Sequence, residues 1–196
     1  MKIVHLIAGI ALSATPSLAE ETTQLDAHEH GVGQLNIAFD ENKVAMELHA
    51  PGADIVGFEY GAKSDVDLAA IDAALQTLSD PLSLFLLPEA ASCIVITAHA
   101  KLESEDSDHD DHDEEGHDDH DEEGHDDHDE APGHTEFHAE YLLECANLTE
   151  MSAITFSYFE IFPNALELEV QVISDKGATA FEIERDVAKL DLRGIF

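Results

Sequence analysis

The sequence predicts an α+β fold, with antiparallel β-hairpins forming a sheet, one or more helices and a long acidic loop. Short stretches alternate apolar and polar residues, as half-buried strands do. Residues 64–79 instead place apolar side chains at helical spacing. A low-complexity segment at about 103–136 carries an eight-residue repeat with no apolar residue to bury, so it is predicted to be a disordered insertion.

The first 19 residues are predicted to be a signal peptide. Lys2 supplies a positive start, and the apolar run at 3–12 is too short to span a bilayer as a stable helix. Ser17-Leu18-Ala19 suits cleavage before Glu20, and the alternative is a membrane anchor. We therefore expect an exported protein without stable membrane insertion, with residues 20–196 as a single domain.

A hairpin is predicted at the start of that domain. Residues 31–39 alternate loosely, residues 40–43 have turn chemistry, and residues 44–49 fit the returning strand. The turn would bring His49 back near Gln34.

A helix and a strand come next. Ser64 can cap residues 64–79, and Asp80-Pro81 ends that helix. Residues 93–102 are rich in β-branched side chains and predict a strand.

Strands resume after the repeat. Residues 137–145 predict one, and residues 164–173 alternate apolar with acidic or amide side chains, as a half-buried strand does. The turn at 175–177 leads to a returning strand at 179–183.

The two cysteines, Cys93 and Cys145, are expected to form a disulfide, because an exported chain meets an oxidising compartment. The alternative is two buried free thiols. If the cysteines face each other on antiparallel strands, the repeat is the loop of one hairpin and the disulfide closes its base. That register pairs Val95 with Leu143, Thr97 with Tyr141 and His99 with Ala139.

The net charge of the chain limits the classes of partner that it can bind. The net charge is −36, so the chain repels nucleic acid and anionic membrane surfaces and attracts cations.

Histidines recur in register through the acidic repeat. Neutral imidazole binds zinc, copper or nickel, and neighbouring carboxylates can complete a zinc shell. The alternative is a solvated acidic segment, which would explain the acids but not the histidines. The predicted ligands are His109, His112, His117, His120, His125 and His128.

A second set of histidines lies in the folded flanks. His28 and His30 would leave the same face of an extended strand, which favours a tetrahedral site with a third histidine such as His49. The register above places His138 opposite Ala100 and beside His99, which makes those two histidines candidates as well. His134 can extend the repeat set.

Catalytic motifs are missing from the sequence. Glu29 is followed directly by His30, so there is no HExxH, and neither a nucleophile elbow nor a phosphate-binding glycine loop occurs. No catalytic residue is therefore predicted.

Several segments outside the repeat match one family pattern, and together they cover nearly the whole mature chain. They resemble the zinc-regulated periplasmic zinc-binding proteins of the ZrgA type in Gram-negative bacteria. The matching segments are His28-Glu29-His30-Gly31 before Leu35-Asn36-Ile37-Ala38, the block from Ala50 to Glu59, Pro81-Leu82-Ser83-Leu84-Phe85, Ala91-Ser92-Cys93 and Ile161-Phe162-Pro163.

The resemblance implies a periplasmic protein that binds Zn²⁺ and supports zinc uptake, and we expect this protein to be non-enzymatic. In this interpretation the repeat captures zinc and passes it to a site on the folded domain or to the periplasmic component of a zinc ABC importer. Two alternatives belong to other classes: a zinc hydrolase using His28 and His30, and an acidic protein-interaction module without a metal role.

Overall fold

A computed structural model describes residues 29–104 and 134–195 of the chain. The predicted signal peptide and the six repeat histidines lie outside these described residues. Within them the protein is sheet-rich with few helices, and most strand pairs are antiparallel, which agrees with the predicted α+β class.

The described residues contain nine strands, four α-helices and three short 3-10 helices. The strands are β1 (Val32–Asp40), β2 (Lys43–Pro51), β3 (Phe85–Leu86), β4 (Cys93–Ser104), β5 (Thr135–Cys145), β6 (Ala153–Phe156), β7 (Glu167–Ser174), β8 (Gly177–Glu184) and β9 (Lys189–Asp191). The α-helices are α1 (Gly52–Ile55), α2 (Asp65–Leu78), α3 (Pro81–Leu84) and α4 (Tyr158–Ile161).

These strands form two sheets. The larger has the order β4-β5-β2-β1-β7-β8, and the smaller has the order β3-β6-β9. The pairs β1–β2 and β7–β8 are the two predicted hairpins. The parallel pairing of β1 with β7 was not predicted, because it joins strands that are distant in the chain and leaves no local pattern.

The larger sheet has one apolar and one polar face because its strands alternate. On β1, Leu35 and Ile37 are buried, whereas Gln34 and Asn36 face the other side. The apolar side chains of β2, β5 and β7 join the same core cluster, so the polar residues of these strands share the opposite face. Each large apolar side chain that is fully buried contributes about 1.5–3 kcal/mol.

Helix α2 and the aromatic residues of the smaller sheet cover the apolar face. Ser64 caps α2 by accepting a hydrogen bond from the Asp67 backbone amide, as predicted. The Tyr141 hydroxyl of β5 donates to the Leu78 carbonyl at 2.8 Å, and Phe85 packs edge-on against Tyr141. None of the helices in the two described ranges has the length and apolarity needed to cross a membrane.

Strands β4 and β5 are joined by the predicted disulfide between Cys93 and Cys145. Pairing continues to Ser104 and Thr135, so the outermost residues of the predicted insertion belong to strands. The predicted register is correct at Val95 and wrong beyond it, because the register shifts between Val95 and Thr97 and leaves Ile96 as an extra residue. The observed pairs are Thr97 with Leu142, His99 with Glu140, Ala100 with Ala139 and Lys101 with His138.

Candidate metal centre

Two histidines face each other on neighbouring strands of the larger sheet. His49 on β2 pairs with His138 on β5, and their ring centroids are 4.1 Å apart. The pairing of β2 with β5 brings the two histidines together. The tight turn between β1 and β2 places His49 beside Gln34, as predicted. Both imidazoles lie on the polar face and are only partly exposed.

A buried carboxylate completes the group. Glu136 lies two residues before His138, so its side chain leaves the same face of β5. Its Oε2 atom lies 3.6 Å from His49 Nδ1 and also contacts His138 Nε2. One ligand atom from each of these three residues lies within 4.8 Å of the other two. We call His49, Glu136 and His138 the sheet site.

Two further glutamates contact the histidines of the sheet site. Glu47 Oε1 lies 3.2 Å from His49 Nε2, the ring nitrogen that faces away from Glu136. Glu103 on β4 pairs with Glu136, and its Oε2 atom lies 3.3 Å from His138 Nε2. The other oxygen of Glu103 contacts the Lys101 ammonium. A carboxylate on the ring nitrogen that faces away from the ion, as Glu47 is for His49, orients an imidazole ligand and increases its basicity, whereas Glu103 shares the His138 nitrogen that Glu136 contacts.

The electrostatics of the sheet site follow from these contacts. The carboxylate of Glu136, 3.6 Å from His49 Nδ1, raises the pKa of His49, and burial opposes this effect without cancelling it. The hydrogen bond from His49 lowers the pKa of Glu47. These contacts favour the charged form of Glu47 beside an imidazole that binds a proton or another cation readily.

A second group lies where β1 and β5 begin. His30 Nε2 is 3.1 Å and His134 Nδ1 is 3.0 Å from Glu59 Oε2. Burial raises the pKa of Glu59, but its hydrogen bond and charge interactions with His134 and His30 outweigh burial, and the net pKa is lowered. We call His30, Glu59 and His134 the Glu59 cluster.

The structure distributes the predicted histidines differently from the sequence interpretation. His49 lies beside His138, and His30 contacts Glu59 in the turn before β1. His99 is exposed on the same face as Glu140, diagonal to His138, and it is not a member of the sheet site. His28 and the repeat histidines lie outside the described residues, so their predicted ligand roles stay predictions.

The carboxylates of both groups were absent from the predicted ligand set. Glu136 and Glu59 contact two imidazoles each. The alternation His134-x-Glu136-x-His138 could have revealed Glu136, because it places three metal-ligating side chains on one face of a strand. Glu59 leaves no such pattern in the sequence, because it is far from both of its histidines along the chain and contacts them only in the folded structure.

The sheet site suits a tetrahedral ion with two nitrogen ligands and one oxygen ligand. Zinc accepts imidazole and carboxylate at about 2.0–2.2 Å, so its ligand atoms lie roughly 3.3–3.5 Å apart. The 3.6 Å separation between His49 and Glu136 is close to that spacing. Three protein ligands leave a fourth position open, which favours exchange over permanent retention.

A family comparison agrees with this chemistry. The model of the ZrgA family of zinc uptake proteins matches residues 27–192, and the chain belongs to that family. The matched range includes every residue of the sheet site and of the Glu59 cluster. The family gives the chain a role connected with zinc. A comparison with curated proteins found no match.

Proposed function

We propose that this chain is a non-enzymatic periplasmic protein that captures or buffers Zn²⁺ and supports zinc acquisition. The sheet site is the folded binding site in this proposal. The observation that carries it is the convergence of His49, Glu136 and His138 within 4.8 Å on one sheet face. Membership of a zinc uptake family favours zinc over other ions that imidazole binds.

The proposed mechanism has two stages. The acidic repeat attracts the cation, and its six histidines bind it in an exchangeable manner. The ion then moves to the sheet site, where Glu47 orients His49 and Glu103 lies against His138. The open coordination position allows a recipient, the periplasmic component of a zinc ABC importer, to supply a ligand and remove the ion.

Binding rather than catalysis fits the surroundings of the sheet site. A zinc hydrolase needs a carboxylate or imidazole that is free to take a proton from zinc-bound water. Glu47 is held by His49, and Glu103 is shared between His138 and Lys101. Using either glutamate as a base would remove support from the histidines, so we propose no catalytic residue.

Zinc titration of the exported chain, monitored by calorimetry, tests the proposal. The repeat histidines are first replaced with asparagine in the full chain, which preserves its length and removes their imidazoles. We call this protein the repeat-silenced chain, and it carries substitutions at His109, His112, His117, His120, His125 and His128.

In this background His49→Ala and His138→Ala are each expected to weaken the tightest zinc binding by at least about 100-fold, since loss of mere supporting contacts already costs 10–100-fold. His99→Ala is the matched control, because it removes an exposed imidazole from the same sheet face. Equal zinc affinity in all of these proteins would contradict the proposal. If zinc binding is unchanged after the repeat histidines, His49 and His138 have all been replaced, the result would favour the alternative of an acidic protein-interaction module.

The delivery step is tested in cells under zinc limitation. Cells lacking the protein are expected to grow more slowly, and the His99→Ala protein is expected to restore growth. A His49→Ala/His138→Ala protein, exported to the same level, is expected not to restore it. Full restoration by the double variant would contradict a role for the sheet site in zinc acquisition.

A further inference from the structure

The Glu59 cluster has features that a pair of surface ion pairs does not explain. Glu59 retains only 12% of its side-chain exposure and has two imidazoles on one oxygen. Its other oxygen, Oε1, is buried and has no hydrogen-bond partner among the described residues. A buried carboxylate oxygen without compensation is costly, and a cation bound at Oε2, where the two imidazoles meet, would offset part of that cost through the charge that the two oxygens share.

Three separate segments of the chain contribute His30, Glu59 and His134 to this cluster. Gly52 approaches β5 so closely that an added Cβ would lie 2.3 Å from Thr135 Oγ1 and 2.7 Å from the Phe58 carbonyl. This approach packs the segment that carries Glu59 against the residue next to His134.

The position of His30 is anchored in a similar way. The following residue, Gly31, has a φ of 90° and donates its amide to Asp54 Oδ1 at 2.8 Å. The Gly31 carbonyl accepts the amides of Leu166 and Glu167 at 2.8 Å. Both imidazoles are therefore brought to Glu59 by fixed backbone, while remaining accessible to solvent at 68% and 52% exposure.

We propose that His30, Glu59 and His134 form a second binding site for a divalent transition ion of the zinc class. The site has the same two-histidine, one-carboxylate set as the sheet site, and each can fill without the other. Among the described residues only the sheet site has three ligand atoms within 4.8 Å of one another, so an ion bound at the Glu59 cluster would draw the exposed His30 and His134 rings together. His134 and Glu136 are two residues apart on the chain, which corresponds to about 7 Å along a strand. The second site is more exposed, so it exchanges ions with solvent more readily.

Zinc stoichiometry and histidine ring signals of the repeat-silenced chain test this inference. Native mass spectrometry counts bound zinc, and nitrogen-15 NMR follows each imidazole during the titration. We expect two zinc ions per chain, with the His30 and His134 ring signals moving as one of them binds. Glu59→Gln and His134→Ala are each expected to lose one ion and to leave the zinc response of the His49 and His138 rings intact.

Two controls make the outcome decisive. Glu160→Gln removes an exposed carboxylate elsewhere and is expected to keep both ions. Thermal unfolding of the metal-free Glu59→Gln protein, matched to that control, separates loss of a ligand from loss of fold. Full zinc binding by Glu59→Gln, with unmoved His30 and His134 signals in the parent, would overturn the second site.

The same experiment separates this inference from the proposed function. If the sheet site does not bind, the parent holds one ion, Glu59→Gln holds none, and His138→Ala changes nothing. That result would support the second site while contradicting the sheet site. If His138→Ala abolishes all binding and Glu59→Gln has no effect, the second site is overturned and the sheet site stands.

Discussion

The two histidine–glutamate groups have the same ligand types but are positioned by different parts of the fold. Strand register builds the sheet site, where His49 and His138 face each other and retain 26% and 13% of their exposure. Turns and a close glycine contact build the Glu59 cluster, whose histidines are mostly exposed. Register fixes distances between ligands, whereas turns keep ligands accessible. We therefore expect slower zinc exchange at the sheet site than at the cluster.

The largest expected effect concerns the disulfide, which closes β4 and β5 across a separation of 52 residues. Chain-entropy arguments for a loop of that size predict that Cys93→Ser/Cys145→Ser lowers the free energy of unfolding by about 4 kcal/mol. That corresponds to roughly a thousandfold in the folding equilibrium. Denaturant unfolding of the variant and of the oxidised parent measures this loss in the free energy of unfolding.

The zinc affinity of the folded Cys93→Ser/Cys145→Ser variant shows whether strand register or the disulfide holds the sheet site. If β2–β5 pairing alone holds the sheet site, affinity under native conditions is expected to match that of the parent. Zinc affinity that falls along with stability would show that the disulfide, and not strand register, sets the site.

The next effect is that of pH on the sheet site. Zinc requires neutral imidazoles, and two histidines with ordinary pKa values near 6.5 would bind it about 100-fold more weakly at pH 5.5 than at pH 7.5. Because the pKa of His49 is raised, protonation of His49 begins to weaken zinc binding at a higher pH. Calorimetry of the repeat-silenced chain at both pH values measures the change. Equal affinities would contradict imidazole ligation.

Stability of the metal-free protein is expected to respond to pH in the opposite direction. Because the folded-state pKa of His49 is raised, its contact with Glu136 stabilises the fold fully below the unfolded pKa of about 6.5. This contribution is lost as pH rises through the folded pKa. His49→Gln should therefore destabilise the metal-free protein more at pH 5.5 than at pH 8, which denaturant unfolding tests.

A smaller effect is expected from the support that Glu47 gives to His49. Glu47→Gln keeps the shape of the side chain but removes its charge, and zinc affinity is expected to fall by about 10–100-fold. Glu140→Gln is the matched control, since Glu140 pairs with Glu47 across the two strands and is exposed. Equal losses in the two variants would indicate a general charge effect rather than orientation of His49.

The smallest effect on the sheet site is expected from Gly52→Ala. The new Cβ would collide with Thr135 and Phe58, so we expect a loss of about 1–3 kcal/mol in stability. The substitution should weaken zinc binding at the Glu59 cluster and leave the sheet site unchanged. Gly61→Ala is the control, because its Cβ would meet nothing within 4 Å. Loss of both sites in Gly52→Ala would contradict their independence.

Local patterns predicted much of this fold. The turn at 40–43 correctly placed His49 beside Gln34, because a short hairpin turn determines its register. Ser64 and Pro81 correctly bounded helix α2 through its cap and stop. The disulfide followed from the expected export of the chain.

Long-range geometry could not be predicted in the same way. One extra residue at Ile96 changed the partner of His138 from Ala100 to Lys101, and nothing in the β-branched run marks that bulge. Glu59 meets its histidines through contacts between distant segments, among them the close approach of Gly52 to Thr135. The sequence therefore indicated which residue types bind metal, while pairing between distant segments decided which residues meet.

Anomalous diffraction at the zinc edge, from crystals of the full mature chain grown with Zn²⁺, would locate the bound ion. We expect a zinc peak about 2.0–2.2 Å from a ring nitrogen of His49, a ring nitrogen of His138 and an oxygen of Glu136. A zinc-bound protein whose map shows no peak among these three residues would contradict this expectation.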